Sequence, residues 1–270
     1  MVSLPDNVTK PPSKANDREL KVIALSGVPL VREGDDLVKI ILDAVAASQE
    51  HLQTGDVLVI AQKIVSKAEG RMVNLDSVTP SPRALELATV VDKDPRLIEL
   101  ILSESTQVLR AHKDVIVVAH RLGFVMANAG IDLSNIEQGA MDTTALLLPI
   151  NPDRTCALLR QRVAEDADAD VGVIINDSHG RAWRNGTVGV AIGAAGIAAL
   201  LDLRGEPDLF GRPLRITQVG WADELAAAAS LMMGQSHQGY PIVLLRGVPY
   251  SRRDGNAQEL IRAKEQDLFR

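Results

Sequence analysis

Five short polar clusters in this sequence have the residue types and spacing to do chemistry. Asn128, Asp132, Ser134 and Asn135 share one glycine-containing stretch directly after an apolar run. Carboxylate, hydroxyl and amide oxygens are what a hard cation such as Mg²⁺ or Mn²⁺ takes; the same residues also suit an Asx turn that satisfies its own backbone. Asn176, Asp177, Ser178 and His179 repeat that inventory after a second apolar run, at the kind of strand end where α/β proteins place sites. Ser178 and His179 do not read as nucleophile and base, because neighbours on an extended chain point to opposite faces. Arg181 and Arg184 flank Trp183. Guanidinium forks fit phosphates and carboxylates, and an arginine stacked on tryptophan in a surface loop fits the same residues.

Gln62, Lys63, Ser66 and Lys67 follow a third apolar run. A lysine there neutralises a phosphate as a point charge, or belongs to a solvated charged turn. Gly234, Gln235, Ser236 and His237 form a polar loop after an alanine-rich stretch; its oxygens suit a metal or nucleotide site, and its glycine equally suits a helix C-cap. Two carboxylates, a hydroxyl, an amide and a lysine, all at element ends, are the inventory of a divalent-metal phosphoryl-transfer site. Catalysis in such a site is positioning plus charge neutralisation.

The elements that must position these groups follow from hydrophobic periodicity. Leu20–Leu25 and Val57–Ala61 read as strands, the second a continuous apolar run suited to burial on both faces. Asp35 and Asp36 open a helix whose Leu37, Ile40, Ile41, Ala44 and Val45 form one stripe. Residues 76–94 read as loop and short helix. Asp94 and Pro95 start a helix with Leu97, Ile98, Ile101 and Leu102 on one face, and Val115–Ala119 is a strand with Gly123–Ala127 as its hairpin partner. Asn151 and Pro152 make a helix start. Val171–Ile175 is a strand that ends in Asn176, Asp177 and Ser178. The glycine-spaced stretch Val188–Leu203 reads as close-packed interior, Leu214–Val219 as a strand, Trp221–Met233 as a helix and Ile242–Leu245 as a strand. Interspersed strands and helices predict a mixed α/β domain. Residues 1–19 read as a mobile tail, 20–250 as the catalytic domain, and 251–270 as a charged tail or helix.

Familiar signatures are missing: there is no Gly-Lys-Ser/Thr loop, no G-x-G-x-x-G, no G-x-S-x-G and no His-Glu-x-x-His. The single cysteine, Cys156, excludes an intrachain disulfide and a cysteine zinc cage, and fits a reducing cytoplasm. No apolar stretch approaches the roughly 20 residues of a membrane span, and no secretory leader is visible. The chain carries 29 basic against 35 acidic residues and only seven aromatic rings. That balance argues against nucleic-acid partners, which ask for a basic face or a stacking platform.

The ordered set of motifs resembles the coenzyme F420-0:L-glutamate ligases, or γ-glutamyl ligases. It comprises Gly27–Val31 with Gly34–Leu37, Gly55–Asp56, Gln62–Arg71, Arg121–Gly123, Asn128–Asn135, Leu147–Pro149 with Pro152–Asp153, Asn176–Gly186, Ala191–Gly196, Ala222–Ala226 and Met233–Gln235. The resemblance runs from about residue 20 to 247, nearly the whole chain.

It implies an α+β, two-lobed fold in an intertwined homodimer, without the C-terminal nitroreductase-like domain that some members carry. It implies a GTP-dependent ligase that phosphorylates the carboxylate of F420-0 and joins L-glutamate through the acyl phosphate. Two divalent ions, Mg²⁺ or Mn²⁺, are implied, with K⁺ a further candidate. Carried over by motif, Asp132 and Asp177 look like ligands of one metal, and Ser178 and Gln235 of the second. Val28, Pro29, Leu30, Val31, Gln62, Lys67, Asn135, Met233, Gly234, Gln235, Ser236 and His237 look like nucleotide contacts. Gln62 stands where some members have Ser or Thr, and Asn176 and His179 also depart from the family pattern, on the substrate side. Arg181 and Arg184, around Trp183, are our own candidates for holding a substrate carboxylate or phosphate.

Overall fold

The computed structural model of the chain describes residues 19–133, 144–249 and 253–268. Five strands form the main sheet: β1 (Lys21–Ala24), β2 (Val57–Ala61), β8 (Gly172–Arg181), β9 (Arg184–Ala195) and β12 (Ile242–Arg246), in the order β1-β12-β2-β8-β9. Only β2 and β8 run parallel. Alternation along β2 explains the layering. Leu58 and Ile60 join a core with Ile40, Ile41 and Ala44 of helix α1 (Leu37–Ala47) and with Cys156, Leu159 and Val163 of α5 (Pro152–Ala167). Val57 and Val59 join the opposite core with Ala222, Leu225, Ala226 and Ala229 of α6 (Trp221–Met233). Period-two side chains on a central strand thus bury both faces, as its continuous apolar run predicts.

The chain between β2 and α5 builds a smaller body. Helix α2 (Gln62–Ala68) leads to β3 (Met72–Asn74), α3 (Pro82–Val91) and α4 (Pro95–Ser103), then the antiparallel sheet β4 (Ser105–His112), β5 (Val115–His120), β6 (Val125–Ala127), and finally β7 (Thr144–Leu146), which pairs with β3. Its core is separate, built on Leu87, Val91, Ile98, Ile101, Ile116 and Val118. The architecture is mixed α+β. The pair β10 (Leu200–Asp202) and β11 (Gln218–Gly220) carries an exposed arm over 203–217.

Several expected boundaries are corrected. The strand expected to end at Ile175 continues to Arg181, past a bulge at Ile175/Asn176, because β9 supplies a partner along its whole length. That partner is possible because β9 is thin. A Cβ on Gly189 would lie 2.5 Å from Ala226 O of α6, and one on Gly193 2.6 Å from Pro152 of α5. The segment with Lys63 and Lys67, for which a solvated turn is one reading, forms helix α2, and residues 76–94 hold loop and the helix α3 as expected, with Ser81 accepting from Ala84 N as its cap. Of Leu214–Val219 only Gln218 and Val219 are strand, which runs on to Gly220. The described C-terminal residues form two short 3-10 turns and no α-helix. Residues 1–18 of the expected tail lie outside the described residues.

A buried charge node ties the smaller body together and to the segment that enters α5. Glu104, at the end of α4, accepts from Arg121 Nε at 2.9 Å and pairs with Arg71 at 2.9 Å; His120 Nε2 lies 3.5 Å away. Arg71 Nε donates to Leu148 O, and Arg121 Nη1 to Ile150 O, so one carboxylate ties α2, α4, β5 and the entry to α5. Burial pushes the Glu104 pKa up, but His120, Arg71 and Arg121 outweigh it and hold it at about 2. A depressed folded-state pKa contributes stability above the ordinary value of 4.5 that is lost as pH falls toward about 2. Glu104→Gln, which leaves Arg71 and Arg121 uncompensated, is expected to cost about 3 kcal/mol at neutral pH. Urea unfolding at stepped pH should show variant and wild type converging in acid.

Candidate functional site

Strand order brings four chain segments to one edge of the sheet. β2 and β8 are parallel, with Ala61 beside Asn176, so both present their C-terminal ends there. β12 is antiparallel to β2, and its start therefore lies at the same edge: Ala61 N donates to Pro241 O at 2.8 Å. β1 exits there too, with Leu25 N bonded to Ile242 O at 2.9 Å. Gly27, at φ 77°, turns the chain into the loop of Val28–Val31. Gly234, at φ 71°, ends α6 and releases the 235–241 loop.

These segments enclose a cleft of about 360 Å³. Val28, Pro29, Leu30, Val31, Gln62, Lys67, Met233, Gly234, Gln235, Ser236 and His237 all line it, together with Lys63, Asn176, Asp177, Ser178 and Tyr240. Every expected nucleotide contact except Asn135 therefore meets in one place, and Asn135 lies outside the described residues. A concave, mostly apolar cleft with a few convergent polar groups is the usual form of a ligand site.

Alternation along β8 sorts its polar residues. Asn176 and Ser178 point toward α6: Asn176 Nδ2 lies 3.3 Å from Met233 Sδ, and Ser178 Oγ donates to Gln235 Oε1 at 2.7 Å. Asp177 and His179 point toward the smaller body. His179 Nε2 sits 3.0 Å from Asp177 Oδ2, and its ring meets Phe124 edge-on at 6.2 Å. The histidine's partner is thus two residues away on its own strand, on the same face. A small cavity of about 180 Å³ is lined by Asp132, Asp177, Ser178 and His179, so Asp177 and Ser178 stand between it and the cleft. On the far side of His179 lies a cavity of about 240 Å³ with Phe124 and Asp223.

Asp132 arrives from the smaller body. Its backbone bridges Leu146, 3.0 Å from N to O and 2.9 Å in return, after a left-handed run through Asn128, Ala129 and Gly130 (φ 51°, 53°, 65°). Its Oδ2 accepts from Gln62 Nε2 at 2.6 Å and its Oδ1 lies 3.3 Å from Lys63 Nζ. Gln62 is 2% exposed, and its Oε1 accepts from Ser66 Oγ at 2.9 Å. The amide of Gln62, expected at the nucleotide, is thus engaged by Asp132 and Ser66. Burial raises the Asp132 pKa, Lys63 lowers it, Asp177 raises it further, and the net displacement is upward. Asp223 is also raised by burial, against the amide of Ala191 that donates to it.

Arg181 and Arg184 are not brought into this gathering. They pair at the tip of the β8–β9 hairpin, exposed, where Arg181 Nη1 donates to Gly186 O at 3.0 Å and Trp183 is 86% exposed. A larger groove of about 1020 Å³ runs along α5 at the other end of the sheet. Its charges are mostly spent in the fold: Arg160 bridges Asp170 and Asp254, and Asp153 accepts from Ala194 N and Ala257 N. Phe124 and Asp223 were not singled out from the sequence. Asp223 reads there as one more acid in the first turn of a helix, and only the long β8–β9 ladder puts it near His179.

A family model described as F420-0:Gamma-glutamyl ligase matches residues 27–247. Among curated proteins, the coenzyme F420:L-glutamate ligase of Methanothermobacter thermautotrophicus is 46% identical over 253 residues, covering 93% of this chain and 99% of that protein. The protein of the same name from Methanopyrus kandleri is 45% identical, over 93% of this chain and 99% of its own length. That from Methanosarcina mazei is 38% identical, over 93% and 96%.

Asp132 is a carboxylate held in a desolvated place beside a second one. Asp132→Asn keeps an acceptor for Gln62 and is expected to stabilise the metal-free protein by about 1 kcal/mol near neutral pH. A folded-state pKa above 3.8 means that wild type regains this stability as pH falls through the raised value. The gain in urea midpoint at pH 7.5 should therefore shrink at pH 4.

Proposed function

The chain belongs to the F420-0:gamma-glutamyl ligase family, and from that premise we propose that it joins L-glutamate to coenzyme F420-0 at the expense of GTP, releasing GDP and phosphate, with further rounds extending a γ-linked tail. The observation that carries this reading is the meeting, at one sheet edge, of a ligand cleft and a set of hard oxygen donors.

A carboxylate is a poor acyl donor, so the acceptor must be activated. One carboxylate oxygen of the acceptor attacks the γ-phosphorus of GTP, the bond to GDP breaks, and an acyl phosphate forms. The amine of glutamate, having lost its proton, attacks the acyl carbon; phosphate departs with the bonding pair and the amide remains. Val28–Val31 and the 233–237 loop hold the nucleotide in the cleft, where Lys67 faces its phosphates. Among the described residues no three His, Cys, Asp or Glu side chains form a metal cluster. The donors that do converge are two carboxylates, the Ser178 hydroxyl and the Gln235 carbonyl, the last two 2.7 Å apart. That hard, oxygen-only set fits Mg²⁺ or Mn²⁺: Asp132 and Asp177 would hold one ion, Ser178 and Gln235 the other. Bound there, they supply charge neutralisation between anions that otherwise repel. A monovalent ion such as K⁺ is a further candidate.

A second reading keeps the ligase chemistry but changes the acceptor. It rests on Asn176, whose buried Oδ1 has no hydrogen-bond partner, and on His179 between two cavities. The homodimer also belongs to this proposal. The arm 203–217 bonds mainly to itself and leaves Leu209, Phe210 and Ile216 99%, 75% and 88% exposed, which is costly apolar surface for an isolated chain. Among the described residues, no helix is long and apolar enough to cross a membrane.

Mass spectrometry of reactions with GTP, Mn²⁺, L-glutamate and F420-0 is expected to show a product heavier by one glutamyl residue, with multiple-turnover GDP release dependent on all four. Ligation to another carboxylate but not to F420-0 favours the second reading. Asp177→Ala should lower turnover by about 10³-fold or more. Light scattering should give a dimer mass for wild type, and a monomer for Leu209→Asp combined with Phe210→Asp.

A further inference from the structure

The two carboxylates already have a cation of the protein's own. Lys63, second residue of α2, lines the cleft and lies 3.3 Å from Asp132 Oδ1. Its side chain and that of Asp132 are 29% and 25% exposed, so the pair is largely shielded from water. The neutral partner beside it is fixed: Gln62 must turn its NH₂ to the carboxylate, which only accepts, while Ser66 holds its carbonyl at 2.9 Å. Gln62 is buried and cannot leave without breaking both bonds. Lys63 differs, with a compact charge on a flexible four-carbon stem and a place in the wall of the cleft.

We propose that Lys63 is a built-in counter-ion, which neutralises Asp132 in the metal-free protein and is displaced into the cleft when a divalent ion binds Asp132 and Asp177. The inference rests on the reading of those carboxylates as metal ligands. Charge bookkeeping supports it. Two carboxylates and one ammonium leave a single negative charge in a half-buried place, and a like-charged pair is costly there without a cation. A divalent ion alone brings the same carboxylates to neutrality. Ion and ammonium together would leave an excess positive charge at short range, so the mobile one gives way. The displaced ammonium then adds a positive charge to the cleft, and by linkage metal and an anionic cleft ligand favour each other. Lys63 is thus a positioning residue that acts through Asp132.

The test is Mn²⁺ binding to nucleotide-free protein, read from the loss of the free-ion signal in electron paramagnetic resonance. Lys63→Met should bind Mn²⁺ about five- to tenfold more tightly than wild type, the exchange having lost its competitor. Lys63→Arg, which keeps the charge, should stay within about twofold of wild type. A merely structural lysine predicts weaker binding when it is removed. If Lys63→Met does not fold, Lys63→Gln carries the same expectation. Binding that is lost in Asp177→Asn but unmoved or weakened in Lys63→Met overturns the counter-ion and leaves the metal site standing. No Mn²⁺ binding by wild type or by any Lys63 variant overturns both. Binding by Lys63→Met where wild type shows none supports the proposal.

Discussion

The structure turns on one electrostatic constraint: two carboxylates from different bodies must share a small, partly desolvated space. Asp177 is delivered by a central strand of the main sheet, Asp132 by a loop of the smaller body. Like charges at short range in low dielectric repel strongly, and the displacement of Asp132 toward its protonated form records that repulsion together with burial. The surroundings oppose it from several sides. Gln62 and Lys63 hold the carboxylate from the first turn of α2, and two backbone bonds to Leu146 fix its main chain. The left-handed run Asn128–Gly130 includes Ala129, fully buried at φ 53°. Such a conformation costs energy for a residue with a Cβ and persists only where packing over-determines it. Strain next to a like-charge pair fits a place where the fold gives up stability for chemistry.

That arrangement requires the two bodies to keep a fixed relation, and the Glu104 node fixes the segment through which the smaller body leads into α5. Its guanidinium partners also hold Leu148 O and Ile150 O, on the segment that runs from β7 beside Asp132 to the start of α5. The helix α5 in turn packs on β9, where Gly193 admits the backbone of Pro152. The same contact chain therefore links the register of β8, and so the place of Asp177, to the loop that presents Asp132. Packed elements with so little free volume transmit small shifts rather than absorb them.

Much of this was legible in the sequence where the signal is local. The apolar stripe of α1, the continuous run of β2 and the Asn151–Pro152 helix start are patterns within one element, and they form as expected. The polar loops that line the cleft were legible as motifs because each is contiguous. What could not be read was pairing at a distance. Lys63 looks like any solvated lysine until the fold sets it against Asp132, far along the chain. The extension of β8 past Ile175 was hidden because its residues turn polar there, and only the glycine-thinned β9 makes a strand of them. Helix α2 was obscured because seven residues are too few to show a clear period.

Arg181 and Arg184 raise a matter of scale. Strands rise about 3.3 Å per residue, so Arg181, three residues beyond Ser178 on the same strand, has its backbone roughly 10 Å from the cleft wall. A guanidinium can reach back over part of that distance, yet Arg181 is held at Gly186 O and Trp183 stands exposed beside it. One phosphate group in the cleft is too small to engage both places. Only a ligand extended along the hairpin, or a second protein surface closing over it, can meet Ser178 and the arginine pair together. The net charge of −6 sharpens that division. Cations stand at both ends of that span, the lysines of α2 in the cleft and the arginines at the tip, with β8 between them.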